Sequence, residues 1–145
     1  MIKFNIEKWD GFYKDAYPLM KANSEEINIF NAPLEIDVEI YEALEEIGHL
    51  KCFTARENGV LVGYAVFTVS GHINYTSKLI ASQIVIYVKP EFRTLGIRLI
   101  KHTEVELKKL GAQIIVQGAP VISRLGVVLE RLGYKELETL YSKEI

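Results

Sequence analysis

Apolar and polar positions alternate along this chain with two different periods, and the changes of period mark out its elements. Residues 3–6 read as a short strand. Across residues 9–22, Phe12, Ala16, Leu19 and Met20 recur at helical spacing, with Pro18 expected to kink or restart the helix. In residues 37–47, Ile40, Ala43, Leu44 and Ile47 form one apolar face and Gly48 follows as a helix stop. Glu39, Glu42, Glu45 and Glu46 fall largely off that face, as a solvated surface or an attraction for a basic substrate. Residues 51–56 and 60–69 are rich in β-branched and aromatic side chains. They flank Asn58-Gly59, a dipeptide suited to the two positive φ angles of a type I′ hairpin turn.

Residues 70–78 are polar and predict a loop, and residues 81–88 form a strand apolar enough to be central, ended by Pro90. A helix over about 95–110 places Ile100, Thr103, Leu107 and Leu110 inward, pairs Glu104 with Lys108 on its polar side, and stops at Gly111. Residues 112–116 return to strand, so this helix has the length of a right-handed βαβ crossover. A helix over 121–132, a stop at Gly133 and a strand over 134–141 complete the pattern. The order is βααββ followed by βαβαβ. With 145 residues and no internal linker or repeat, one domain spanning residues 1–145 is expected.

Charge narrows the function. A net charge of −2 supplies no basic excess for gripping a phosphate backbone, so general nucleic-acid binding is disfavoured. No apolar stretch reaches membrane-spanning length and the first residues lack a signal-peptide layout, which points to a cytoplasmic setting. The single cysteine, Cys52, sits among Leu50 and Phe53 and reads as a core thiol; no ligand cluster surrounds it, and no metal is expected.

Chemistry concentrates at the junction Val88-Lys89-Pro90-Glu91-Phe92-Arg93-Thr94-Leu95-Gly96-Ile97-Arg98, where the central strand meets the crossover helix. A helix N-terminus offers unpaired N–H groups and the positive end of the macrodipole, a natural seat for a phosphate or pyrophosphate. Gly96 would allow close backbone approach, and Arg93 and Arg98 add charge. By itself the segment also reads as an ordinary helix start with two exposed arginines.

A strand, Val-x-Pro, Arg-x-x-Gly and an amphipathic helix together resemble motif A of the GNAT (GCN5-related) acetyltransferases. Val128-Leu129-Glu130-Arg131-Leu132-Gly133-Tyr134 resembles the closing helix and turn of that superfamily. Three further features are similar to the small GNAT proteins of tailed bacteriophages: His72-x-x-Tyr75 ahead of the central strand, Gly96-x-Arg98, and Tyr141-Ser142-Lys143. The resemblance covers nearly the whole chain. It implies an α/β (α+β) GNAT fold: a mixed, mostly antiparallel sheet of about six strands, a splayed parallel pair at its centre, and helices on both faces. It also implies an acetyl-CoA site, with the pantetheine arm along Ile86, Tyr87 and Val88 and the pyrophosphate on Arg93, Thr94, Leu95, Gly96, Ile97 and Arg98. The implied reaction is direct attack by a primary amine, such as a protein lysine, on the thioester, governed by alignment and oxyanion stabilisation.

Two residues depart from the family pattern. Arg98 replaces a second small residue, and Leu129 stands where many members carry a tyrosine that protonates the departing thiolate; the asparagine often found earlier falls at Ile122. Substitute groups are few. His72 could accept the amine's proton or be a loop histidine, and Tyr75 and Tyr141 could offer a hydroxyl or simply pack. Gln83 could hold water or substrate, or pair across the sheet, while Ser123 could cap the last helix or touch the cofactor. His49 and His102 read as structural. The first expectation is an acetyl-CoA-dependent N-acetyltransferase. A catalytically weak acyl-CoA-binding or protein-binding module is the second, and a regulatory domain with a closed wedge the third. The final strand could complete its own sheet or extend that of a partner in a homodimer.

Overall fold

The computed structural model describes residues 1–145. Five strands form one sheet in the order β1 (Ile2–Glu7), β2 (Leu50–Glu57), β3 (Val60–His72), β4 (Tyr75–Val88) and β5 (Ile114–Val116). The first three pairings are antiparallel and β4–β5 is parallel. Helices α1 (Trp9–Ile27) and α2 (Val38–Glu46) precede β2, while α3 (Gly96–Lys109) is the crossover and α4 (Leu125–Arg131) follows β5. This is the α+β GNAT fold expected, with the parallel pair beside the long central strands.

Each face of the sheet has its own core. Trp9, Phe12, Ala16, Leu19 and Met20 of α1 pack on Cys52, Leu61, Tyr64, Val66 and Tyr87. On the other face, Leu95 and α3 residues Leu99 and Leu107 cover Phe53, Ala55, Val62, Ala65, Phe67, Ala81 and Val88. The β2–β3 turn has φ of 49° at Asn58 and 86° at Gly59, as a type I′ turn requires. Burial pushes the Cys52 thiol up to about 12, so it remains protonated and inert, as a core thiol should. A Glu7–Arg56 fork, joined by Asp15 and Thr54, ties β1, β2 and α1 together; Arg56 holds the Glu7 carboxyl below its ordinary value.

Five readings of the sequence change. Pro18 does not divide α1, which runs unbroken for 19 residues because the buried stripe from Trp9 to Met20 holds both sides of the proline. In α2, Ile40 and Ile47 face solvent. Leu44 packs on the α1 core as expected, beside Tyr41, stacked on Trp9 at 4.1 Å and 6°, and Glu45, which accepts the Trp9 N–H at 2.6 Å and so caps α1. Residues 70–78 are not a loop: β3 and β4 continue as a ladder to a tight turn at Ile73-Asn74. The polar side of α3 carries a Glu106–Lys109 pair at 3.0 Å in place of Glu104–Lys108. The last helix is shortened to Leu125–Arg131, and residues 134–141 form no strand; Leu137, Leu140 and Tyr141 are exposed.

Candidate active site

The ladder between β3 and β4 steps from Val66 opposite Val85 to Phe67 opposite Gln83, leaving Ile84 as an extra residue. This bulge reverses the side-chain alternation of β4. Leu79 and Ala81 face the α3 core before it, whereas Val85 and Tyr87 face the α1 core after it. The parallel pairing to β5 stops at nearly the same point, its three rungs being Ile80–Ile114, Ala81–Ile115 and Ser82–Val116. Beyond Ser82 the strands part. The outer edge of Gln83–Val88 then lies along a wedge, toward which alternate residues turn their N–H and C=O groups. Ile86, Tyr87 and Val88, the residues expected to meet a pantetheine arm, are on this segment and are held from behind by Ala65, Tyr64 and Gly63.

Gln83 fastens the apex. Its Oε1 accepts the Gly118 N–H at 3.1 Å, bridging β4 to the chain that leaves β5. Gln83 thus holds β4 to the chain that leaves β5. Gln117, which directly follows β5, donates Nε2–H to the Tyr134 hydroxyl at 2.9 Å.

At the open end, β4 turns through a 3-10 segment, Pro90–Leu95, into α3. The helix begins without a side-chain cap and without an acidic residue in its first turn, so the positive end of a 14-residue helix is not neutralised. Gly96 has an ordinary helical backbone (φ −53°, ψ −47°), which any residue could adopt. A Cβ there would meet no protein atom within 4 Å. The fold does not require this glycine; its bare surface leaves room for something outside the chain. That geometry fits a pyrophosphate seated on the backbone of Thr94 to Ile97.

The two arginines of this turn are engaged elsewhere. Arg93 donates Nε–H to the Val88 carbonyl at 2.5 Å and forks onto Glu26 of α1 at 2.8 and 3.0 Å, with its guanidinium 5.4 Å from the Tyr87 ring. Glu26 raises its pKa further. Arg98 lies 5.2 Å from the Phe4 ring on β1. Both guanidinium groups thus have partners within the chain. Ser123 donates to the Pro120 carbonyl at 2.8 Å and accepts the Leu125 N–H at 3.4 Å, a local cap for α4. Leu129 is buried in the position of the family tyrosine, and Ile122 is exposed.

Three expected catalytic groups are not brought to the wedge. His72 and Tyr75 pack against each other at the tip of the β3–β4 hairpin, with centroids 5.1 Å apart, and His72 Nδ1 accepts the Asn74 N–H at 3.0 Å. A strand rises about 3.3 Å per residue, so Tyr75 stands roughly 25 Å from Gln83 and about 40 Å from Val88. Tyr141 is 91% exposed on the irregular C-terminal stretch. His102 is packed against Phe4 and Phe53, and its pKa is lowered by burial, a structural role as expected.

A second feature, with no counterpart among the sequence motifs, lies on the α1 side of the same strand segment. A cavity of about 140 Å³ opens there, lined by Met20, Leu34, Ile36, Tyr41, Tyr64 and Val85, with Asn23 and Ser24 at its polar side. Tyr64 is fully buried and its hydroxyl has no partner. Burial raises its pKa, keeping the hydroxyl protonated. Asn23 and Ser24 lie on the last turns of α1. A larger hollow of about 420 Å³, lined by Met1, Lys3, Asn5, Arg56, Asn58 and Gly59, sits at the β1 edge, across the sheet from the wedge.

Solved structures share this architecture. A ribosomal-protein-alanine N-acetyltransferase from Brucella melitensis biovar Abortus 2308 is 18% identical, with a TM-score of 0.74 over 100% of this chain and 99% of that one. The aminoglycoside acetyltransferase meta-AAC0020 from an uncultured soil metagenomic sample is 14% identical, with a TM-score of 0.76 over 99% and 96%. A predicted acetyltransferase with acetyl-CoA from Clostridium acetobutylicum is 14% identical, with a TM-score of 0.71 over 99% and 96%. No curated protein sequence matches the chain. The family model "Acetyltransferase (GNAT) family" matches residues 13–121, a span that holds α1, the bulged strand, the splay and the uncapped start of α3, and the chain belongs to that family.

Proposed function

We propose that the chain transfers an acetyl group from acetyl-CoA to a primary amine. The observation that carries this reading is the convergence of two features at one end of β4: the splay beyond Ser82 and the uncapped start of α3 with the open surface of Gly96. In this reading Ile86, Tyr87 and Val88 present backbone groups to the pantetheine arm, and the turn from Arg93 to Arg98 at the start of α3 receives the pyrophosphate. Arg93, neutralised by Glu26, fixes the turn through the Val88 carbonyl. Acetyl-CoA supplies an activated acyl group. The protein aligns the amine with it, so that the new C–N bond forms as the C–S bond breaks.

No imidazole or carboxylate lines the cavity beside Val85, and Leu129 fills the place of a tyrosine acid. The amine therefore enters as its free base and gives the proton it must lose on C–N bond formation to water, while the thiolate leaves unassisted or with a water-borne proton, which thiolates tolerate. A second reading rests on that same observation: an acyl-CoA-binding module that has lost efficient turnover. A reducing cytoplasm suits both readings, since the lone thiol is buried and unpaired. Thiol release from acetyl-CoA over a panel of peptides and amines tests the choice. Amine-dependent release is expected. Binding without release establishes the module, and no binding at millimolar acetyl-CoA contradicts both.

A further inference from the structure

We infer that a second copy of this chain completes the wedge: residues 135–145 of each copy pair with the free edge of β5 in the other, and this exchange closes the wall opposite β4. The exchange follows from the packing of the chain, and its effect on the cofactor rests on the acetyl-CoA reading above.

The two walls of the wedge are built unequally. Gln83–Val88 is backed by β3 and belongs to a strand with a packed core on each face. The opposite wall leaves β5 at Gln117 and lies in a part of the chain with almost no core. Of residues 108–145 only Leu129 is buried, while Ala112 and Ile115 reach the α3 core in part. Val121 and Ile122, just beyond β5, are 99% and 68% exposed. β5 itself has three residues and a neighbour on one side only. An open strand edge beside exposed apolar side chains is a surface that asks for a partner.

The chain carries the matching piece. Every residue from Lys135 to Ile145 is exposed. Within this stretch Leu137, Thr139 and Tyr141 alternate as one face of a strand, in residue types that favour strands. The stretch starts beside β5, because Tyr134 is tied to Gln117 at 2.9 Å, yet it pairs with nothing in its own copy. A free edge and a free strand-patterned segment in one chain are complementary between two copies. Reciprocal exchange satisfies both at once about a two-fold axis and leaves neither edge of β5 open. At about 3.3 Å per residue the segment spans roughly 36 Å against roughly 10 Å for β5, long enough to run past β5 and cover residues 117–124. With the strand and wall beneath it, the segment approaches the 20–30 or so residues a side that a standard interface holds.

Sedimentation, amide exchange and CoA calorimetry on the full chain test this together. At micromolar concentration the wild type is expected at twice the 16.5 kDa of one chain, with slowed exchange at residues 137–141. Leu137→Asp combined with Tyr141→Asp changes only exposed side chains, so each copy should keep its circular dichroism spectrum. This variant should sediment as a monomer, exchange freely at residues 137–141 and bind CoA at least tenfold more weakly. A monomeric wild type overturns the proposal, including one whose segment is protected by folding back on its own β5. So does a dimer in which residues 137–141 exchange freely, or a monomeric variant that binds CoA as tightly as the wild type. An exchanged wild-type dimer that binds no CoA overturns the acetyl-CoA reading and the claim about the site, and leaves the exchange standing.

Discussion

The two ends of β4 carry similar residue types and have opposite surroundings. At its start, Tyr75 and the neighbouring His72 pack together on a hairpin tip open to water. At its end, Val85, Tyr87 and Val88 are covered by helices on both faces, bordered by the wedge and followed by the bare start of α3. The bulge at Ile84 and the end of pairing at Ser82 separate the two regimes. The comparison teaches that a histidine and a tyrosine near a central strand mean little without the register. At 3.3 Å per residue, eight residues along a strand remove a side chain from the chemistry.

Several changes break or sharpen this contrast. Phe67 lies opposite Gln83, where the two halves of β4 join, and is fully buried between Phe53 and its neighbours. Phe67→Ala should cost about 3–5 kcal/mol by chemical denaturation and weaken both ends together. Gly96→Val should act on one end alone. The stabilisation of about 2.7 kcal/mol that acetyl-CoA gives at a hundred times its Kd should vanish, while the ligand-free Tm changes little, because a Cβ at this position has no protein atom within 4 Å.

Arg56→Met should spare both ends. It should cost about 2 kcal/mol at neutral pH through the lost charged hydrogen bonds to Glu7, with acetyl-CoA affinity unchanged. Because Arg56 depresses Glu7 below the ordinary 4.5, that contribution is present above the unfolded glutamate pKa and is lost as pH falls through the lower folded value. The wild type should accordingly lose more stability than the variant in acid melts. The smallest effect belongs to the hairpin tip: His72→Ala and Tyr75→Phe should change thiol release less than twofold at any pH, and stability by no more than about 0.5 kcal/mol.

Much of this was legible in the sequence where local rules and burial agree. Asn58-Gly59 set its hairpin because the turn demands positive φ, and Phe12, Ala16, Leu19 and Met20 are all buried as their spacing implied. The junction from Val88 to Arg98 lies where it was expected. Polarity misled at residues 70–78, since a two-stranded tip wet on both faces carries no hydrophobic alternation. Periodicity misled in α2, where stacking on Trp9 outweighed burial of Ile40 and Ile47. The Arg93–Glu26 fork spans 67 residues, and the Tyr64 cavity joins α1, the segment around Leu34 and Ile36, α2 and two strands, so neither leaves a spacing to read. Leu129 was visible from the outset as a missing tyrosine, and its burial gives that absence a structural form.

Amide hydrogen exchange with and without saturating acetyl-CoA tests the central claim most directly, because it compares both ends of β4 in one experiment. Slowed exchange at Ile86 to Val88 and Thr94 to Ile97, with none at His72 to Tyr75, is the result this account predicts. Protection at the hairpin tip, or none at the start of α3 with ligand bound, would contradict it.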